Sequence, residues 1–220
     1  MRKTLLIVFA SFLMLGVSAQ NFIGVKAGGG LAIRSGNATF TTNPGAAIMG
    51  GLAYKHQILK RLILEGDVLM DIRMPTADLS DGTKGAAYSS TYVSVPITAQ
   101  WISPLKGKDL VPYKVSTSTA YWYIEGGPYF GYGLDVAAYD PANATATASN
   151  IDVGLTGGAG MNFGFAKGMS RFSVGTRANY GLLNTYGSYD GAPTMTNLSI
   201  VGYVGLDFSL TKRKHIKHRW

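Results

Sequence analysis

The chain has 220 residues and no cysteine, which excludes disulfides, thiolate zinc sites and cysteine nucleophiles. Its formal charge of +8 suggests a nucleic-acid partner, but two of the 20 basic residues precede residue 20 and five follow Leu210. The stretch between them keeps 13 basic against 12 acidic residues, so it is near neutral and its charge argues against binding nucleic acid. The length is that of one domain.

Residues 1–19 have the three parts of a secretory signal peptide. A basic start is followed by an apolar run from Leu5 to Leu15, and Val17-Ser18-Ala19 form a small-residue cleavage site. The run is shorter than the roughly 20 residues that a spanning helix needs, so cleavage before Gln20 is favoured over an uncleaved anchor. The pattern predicts export.

Eight segments of the mature chain alternate apolar and polar residues with a period of two, which is typical of β-strands with two unlike faces. In the clearest segment, Phe172 and Val174 share one face while Arg171 and Arg177 lie on the other. The eight predicted strands cover residues 22–33, 45–55, 61–74, 89–102, 119–135, 150–165, 171–182 and 196–210.

The apolar face recurs in all eight strands, and no helical pattern is available to cover it. Lipid is the cover that such a sheet requires, and only closed barrels satisfy all strand hydrogen bonds in lipid. The pattern predicts an all-β fold, an eight-stranded antiparallel up-and-down transmembrane β-barrel over residues 20–210, in the bacterial outer membrane. The alternative is a soluble barrel or sandwich with an aromatic core. Pro96 lacks a ladder donor and predicts a bulge in the fourth strand.

The connections between the strands alternate in length, as they do in bacterial barrels with short periplasmic turns and longer outer loops. With the N-terminus in the periplasm, the first, third, fifth and seventh connections face outward. The fourth connection, residues 103–118, is an exception because it is long although it faces the periplasm. It is either a periplasmic excursion or a sign that strands four and five extend beyond the membrane. The long outer connections are residues 35–44, 75–88, 136–149 and 183–195, and the short ones are 56–60 and 166–169.

Charged residues fall on the polar face of the strands, which an eight-stranded barrel turns into a lumen only just wide enough for side chains. Charges there must pair or be hydrated. The sequence predicts a structural plug of ion pairs, with an ion pathway or a catalytic dyad as the alternatives. The predicted lumen charges are Lys26, Glu65, Asp67, Asp71, Arg73, Glu125, Asp135, Arg171, Arg177 and Asp207.

Aromatic residues fall on the apolar face near the periplasmic ends of the predicted strands. Aromatic rings at such positions are typical of a membrane interface. These predicted interface aromatics are Tyr54, Trp101, Trp122, Phe165, Phe172 and Phe208.

Motifs for catalysis or cofactor binding are weak. The glycine-rich residues 157–164 lack the Gly-Lys-Ser/Thr ending of a phosphate loop and lie inside a predicted strand. Of the three histidines, His56 lies in a predicted periplasmic turn, and His215 and His218 lie in the basic tail, where neighbouring cations oppose a metal. The sequence therefore predicts no enzyme, no cofactor and no metal site.

The mature chain resembles the PorT-like outer-membrane β-barrel family of the Bacteroidota in the segments NFIGVKAGGGL, TYVSVPITAQW, YIEGGPYFGYGL and VGYVGLDFSL. The resemblance implies an eight-stranded outer-membrane barrel, and some members of the family are linked to protein secretion. Such barrels usually end at an aromatic residue of the last strand, whereas a basic tail follows Leu210 here. Either Phe208 or Trp220 is then the residue that the insertion machinery reads.

Residues 211–220 carry five basic residues and no acidic one, and they lack the alternation of a strand. They predict a mobile basic tail on the periplasmic side. The expected role is structural or surface interaction without catalysis, and the alternative is a component of a secretion or transport apparatus. The expected partners are outer-membrane lipid, the barrel assembly machinery during insertion and, in the alternative, a periplasmic protein bound by residues 103–118 and the tail.

Overall fold

A computed structural model of the chain describes residues 20–36, 41–59, 61–78, 89–104, 120–136, 149–165, 169–184 and 195–210. The predicted signal peptide, the basic tail and most of the long connections lie outside these residues. The strands are β1 (Asn21–Gly36), β2 (Thr41–Leu59), β3 (Leu62–Asp78), β4 (Ser90–Pro104), β5 (Ala120–Val136), β6 (Ile151–Phe165), β7 (Ser170–Gly181) and β8 (Met195–Ser209). Among the described residues, no helix is long and apolar enough to cross a membrane.

The eight strands form one closed antiparallel barrel in chain order, as the sequence predicts. Closure is made by β1 and β8, which pair from Phe22↔Ser209 to Gly36↔Met195. We call the end that carries the β2–β3 and β6–β7 connections the short-turn end. Asn21 and Ser209 lie at the same end, because β1 starts there and β8 stops there.

The apolar side of every strand faces outward, and the polar side faces the lumen. Val25 is 51% exposed while its neighbour Lys26 is 2% exposed, and the same alternation runs through the other strands. A soluble barrel would place its apolar side chains inside. The exterior of this barrel instead needs lipid as its solvent, which agrees with a transmembrane barrel.

Strand β2 is longer than predicted at both ends. It begins at Thr41, so the first connection is shorter than the predicted loop of residues 35–44. At its other end, β2 includes His56, whose Nδ1 lies 2.6 Å from Asn21 Oδ1. The prediction of a turn at residues 56–60 is therefore wrong at its start, because pairing with β1 and β3 continues through this segment.

The irregularities of the wall do not occur where the sequence predicts them. Pro96 pairs with Tyr129 without a register shift, so the bulge predicted at Pro96 is wrong. The register of β4 with β5 shifts instead between Thr91 and Tyr92, whose partners are Asp135 and Gly133. The shift adds one residue to β5 and reverses the alternation beyond it. Asp135 is consequently exposed, and its prediction as a lumen charge is wrong.

Candidate functional site

The lumen is filled with charged side chains. Nine of the ten predicted lumen charges are buried there, all except Asp135. Three more charges join them, which makes six cations and six carboxylates among the described residues. The cations are Lys26, Arg34, Lys55, Arg73, Arg171 and Arg177, and the carboxylates are Glu65, Asp67, Asp71, Glu125, Asp152 and Asp207.

Arg177 in β7 is the hub of the larger group of charges. Its Nη2 lies 2.9 Å from Glu65 Oε1, its Nη1 lies 2.7 Å from Asp67 Oδ2, and its Nε lies 2.9 Å from Glu125 Oε1. All three guanidinium nitrogens therefore contact carboxylates from β3 and β5 across the lumen. Hydrogen bonds between charged partners are shorter and stronger than those between neutral groups, and three of them fix the orientation of the guanidinium.

Two lysines extend this group toward the short-turn end. Lys26 Nζ pairs with Glu65 and lies 3.1 Å from Asp67 Oδ2. Lys55 Nζ lies 3.4 Å from Glu65 Oε2 and 2.6 Å from Asp207 Oδ2. We call Lys26, Lys55, Glu65, Asp67, Glu125, Arg177 and Asp207 the central cluster. Every carboxylate in it is paired with at least one cation.

Neutral donors satisfy further oxygens of the central cluster. Gln100 Nε2 donates to Glu65 Oε2 at 2.6 Å and to Glu125 Oε2 at 2.8 Å, so one amide links two carboxylates. The hydroxyl oxygens of Tyr123 and Tyr203 lie 2.5 Å apart, and the Tyr203 hydroxyl donates to Glu125 Oε1 at 3.3 Å. The two tyrosine hydroxyls are thus part of the polar network of the central cluster.

Glycines make room for these tyrosines. A Cβ at Gly160 or at Gly175 would collide with the Tyr123 hydroxyl. It would also press against a backbone oxygen of the neighbouring strand, so the Cβ itself could not shift aside. A side chain at either position would therefore push Tyr123 out of its contact with Tyr203. This explains why β6 and β7 carry glycine on their lumen faces, where the lumen is otherwise filled.

A second group of charges lies further from the short-turn end, and we call it the distal cluster. Arg73 Nη2 lies 2.6 Å from Asp71 Oδ2, and its Nη1 lies 2.7 Å from Asp152 Oδ2. The same oxygen of Asp152 accepts hydrogen bonds from the Tyr129 hydroxyl at 3.1 Å and from Asn197 Nδ2 at 3.2 Å. Arg34 Nη2 donates to Ser90 Oγ at 2.8 Å in the same part of the barrel.

Apolar side chains separate the two clusters. Along β3, Leu69 stands between Asp67 of the central cluster and Asp71 of the distal cluster. It belongs to a buried hydrophobic group that also contains Ala32, Ala47, Met49 and Val201. The numbers of positive and negative charges are equal on each side of this layer. On the short-turn side, the three cations of the central cluster and Arg171 balance four carboxylates. On the other side, Arg34 and Arg73 balance Asp71 and Asp152.

Arg171 closes the lumen at the short-turn end without an ion pair among the described residues. Its guanidinium carbon lies 3.7 Å from the centroid of the Phe22 ring and 5.7 Å from that of Tyr121. Its Nη2 donates to Gln20 Oε1 at 3.3 Å, and its Nη1 finds no partner in the described part of the chain.

Sequence reasoning missed three lumen charges, for different reasons. Lys55 is the last residue of its predicted strand, and Arg34 lies one residue beyond its own, so continuing the alternation to the strand end places both in the lumen. Asp152 lies on the polar face of a predicted strand, where the alternation alone indicates the lumen. The bulge that turns Asp135 outward leaves no signal in the alternation itself.

The six predicted interface aromatics all face outward. They lie in the rows nearest the short-turn end, where Ile23 pairs with both Tyr54 and Phe208 and where Phe172 pairs with Phe163. Each of the six side chains is between 39% and 48% exposed. Their contact with a membrane interface remains a prediction.

Each carboxylate of the two clusters contacts a lysine or an arginine through at least one oxygen. The second oxygen has no hydrogen-bond partner among the described residues in four of them, Asp67, Asp71, Asp152 and Asp207. No group of three or more histidine and carboxylate side chains in this part of the chain is placed to hold a metal ion. The paired charges of the two clusters fill the lumen and make the barrel rigid.

No protein-family profile matches the chain, and no curated protein matches it. Among solved structures, it is similar to the outer membrane protein OprG from Pseudomonas aeruginosa, with a TM-score of 0.53, 13% identity and coverage of 90% of this chain and 99% of that chain. It is also similar to Neisserial surface protein A, with a TM-score of 0.46, 13% identity and coverage of 85% and 97%.

The likeness to OprG concerns the fold, which is that of small outer-membrane barrels. The apolar exterior and the closed strand order agree with it. The predicted localisation in the bacterial outer membrane is consistent with both observations. The chain has the fold of an eight-stranded outer-membrane β-barrel.

Proposed function

We propose that the protein is a non-enzymatic outer-membrane barrel with a structural or surface-interaction role, exported by a signal peptide that is cleaved before Gln20. The observation that carries this proposal is the lumen itself, which is occupied by two clusters of paired charges and a layer of apolar side chains. A lumen filled in this way has no room for a solute path. The surfaces of the barrel are then the parts available for function.

Conductance across a planar lipid bilayer tests this proposal. We expect the purified protein to insert without stable steps on the nanosiemens scale, because the paired charges and the apolar layer block the lumen. A large porin studied in the same bilayers provides the positive control. Large, stable steps from the purified protein would contradict a closed lumen.

The alternative role is a component of an outer-membrane secretion or transport apparatus, in line with the resemblance to PorT-like barrels. Its support comes from the sequence, since residues 103–118 and the basic tail lie on the predicted periplasmic side. Co-purification from native membranes distinguishes the two roles. A periplasmic protein that binds the full chain and is lost when residues 211–220 are deleted would favour the apparatus.

A further inference from the structure

The ladder of paired residues around the barrel is interrupted on both sides of β4, in the middle of that strand. The flanking pairs are Gly66↔Ile97 and Leu69↔Ser94 toward β3, and Pro96↔Tyr129 and Ala99↔Gly126 toward β5. The register is the same on either side of each gap, so no residue is added or lost. In the other described strand pairs, the ladder is interrupted only near strand ends, where the register shifts. The interruption at β4 therefore has a local cause.

Pro96 is the cause of the gap toward β3. Ile102 N donates to Arg61 O at 2.9 Å, and hydrogen-bonded pairs alternate with non-bonded pairs along an antiparallel ladder. Six residues further along each strand, the same register places Pro96 opposite Asp67 at a hydrogen-bonded position. Proline has no N–H, so the backbone oxygen of Asp67 receives no donor from β4.

A second proline removes the donor on the other side of β4. Successive residues of a strand direct their backbone groups to opposite neighbours, so the backbone oxygen of Ile97 points toward β5. In the register of Pro96↔Tyr129, the residue opposite Ile97 is Pro128, which again has no N–H. Two carbonyls of the wall thus lose their ladder donors side by side, where lipid offers no replacement.

The wall is also locally wider at the gap between β3 and β4. A Cβ at Gly66, which pairs with Ile97, would meet no atom within 4 Å. At five other outward glycines, a Cβ would lie 3.6–3.8 Å from a backbone oxygen of a neighbouring strand. These five are Gly29, Gly50, Gly126, Gly157 and Gly202. The part of the wall that we call the seam consists of residues 66–68 of β3 and residues 95–97 of β4.

Polar side chains line the lumen side of the seam. Asp67 and Thr98 are each 1% exposed, and Asp67 Oδ1 and Thr98 Oγ1 find no hydrogen-bond partner among the described residues. The other oxygen of Asp67 is taken by Lys26 and Arg177. Buried polar atoms of this kind hold water when two to four of them share one site.

We propose that the seam is a hydration site in the barrel wall and the place where the wall opens first. Water from the lumen side donates to the backbone oxygen of Asp67, in place of the N–H that Pro96 lacks, and is held by Asp67 Oδ1 and Thr98 Oγ1. A bond through water is broken when the water leaves, so β3 and β4 separate here more readily than other strands do. Each opening exposes the central cluster through the side of the barrel, between two strands.

Amide hydrogen exchange, measured by NMR on the protein refolded in lipid bicelles, tests the opening. The amide of Asp67 is compared with that of Lys26, another lumen-facing residue of the central cluster, which pairs with Gly51 in an unbroken ladder. We expect the Asp67 amide to exchange about tenfold faster or more. Equal exchange at the two amides would overturn the seam as the first point of opening.

Magnetisation transfer from water to the same two amides tests the hydration. We expect a nuclear Overhauser effect from bound water at the Asp67 amide and none at the Lys26 amide. Absence of the effect at Asp67 would overturn the hydration site.

Replacing the proline tests the cause. Pro96→Val supplies the missing donor, so we expect the exchange of the Asp67 amide to slow toward that of Lys26. Pro44→Val, at an exposed proline near the far end of β2, is the control and should leave the exchange unchanged. If Pro96→Val does not fold, Pro128→Val, which supplies the donor for Ile97, is judged by the Ile97 amide in the same way. Unchanged exchange in the folded variant would overturn the assignment of the seam to the missing donors.

Discussion

Arg177 is the residue on which the central cluster depends, because it holds three carboxylates with its three guanidinium nitrogens. Replacing it with methionine roughly keeps the volume, but it leaves Glu125 without a cation and takes one cation from Glu65 and one from Asp67, which keep their lysine partners. Removing one member of a buried ion pair typically costs about 3–5 kcal/mol. We expect Arg177→Met to lower the free energy of unfolding in lipid vesicles by about that amount.

Arg171→Met is the matched control for this prediction, since it removes another buried lumen arginine. Arg171 makes no ion pair among the described residues, and its cross-strand partner Asp207 keeps the ion pair with Lys55 when Arg171 is removed. We expect its cost in unfolding titrations with urea to be clearly smaller. Equal losses from the two substitutions would mean that the ion pairs of Arg177 contribute nothing beyond side-chain packing.

A single strand shows why the alternating pattern predicts so much of this fold. In β8, the outward residues Ile200 and Val204 are 55% and 48% exposed, in agreement with the sequence. Arginine at the middle of such a lipid-facing row costs about 2–4 kcal/mol, and the cost falls to about 0–1 kcal/mol near the interfaces. We expect Val204→Arg to show the larger loss of folding stability in vesicles and Leu134→Arg, near the end of β5, the smaller one. No effect at Val204 would contradict a lipid-facing wall.

The same pattern fails at the ends of strands and at their irregularities. Alternation places a residue on a face only while the register continues, so it could predict Lys26 and Arg177 but not the exposure of Asp135 beyond the β5 shift. At Pro96 the sequence predicts a bulge that the structure does not have. Proline removes one hydrogen-bond donor from the ladder, but it does not add a residue to the strand, so the register continues. Which charges pair across the lumen was also out of reach, since contacts such as Lys55 with Asp207 join residues far apart in the chain.

Among the described residues, β1 and β8 close the barrel through pairs that run from Phe22↔Ser209 to Gly36↔Met195. We therefore expect a chain that lacks residues 211–220 to reach the outer membrane and to run as a heat-modifiable band in gel electrophoresis. The full chain, expressed at the same level, is the control. Failure of the shortened chain to assemble would identify Trp220, rather than Phe208, as the residue that the insertion machinery reads.

The apolar layer between the two clusters makes the lumen modular. Asp67 and Asp71 are four residues apart on β3, which corresponds to about 13 Å along a strand. Sites at that separation with no shared partner usually have additive effects on stability. The double variant Arg73→Met/Arg177→Met should thus lower the free energy of unfolding by the sum of the two single losses. Lys26 and Arg177 share the partners Glu65 and Asp67, so the losses from Lys26→Met and Arg177→Met should not add in their double variant. Each half of the lumen is then free to diverge, or to be redesigned, without compensating changes in the other.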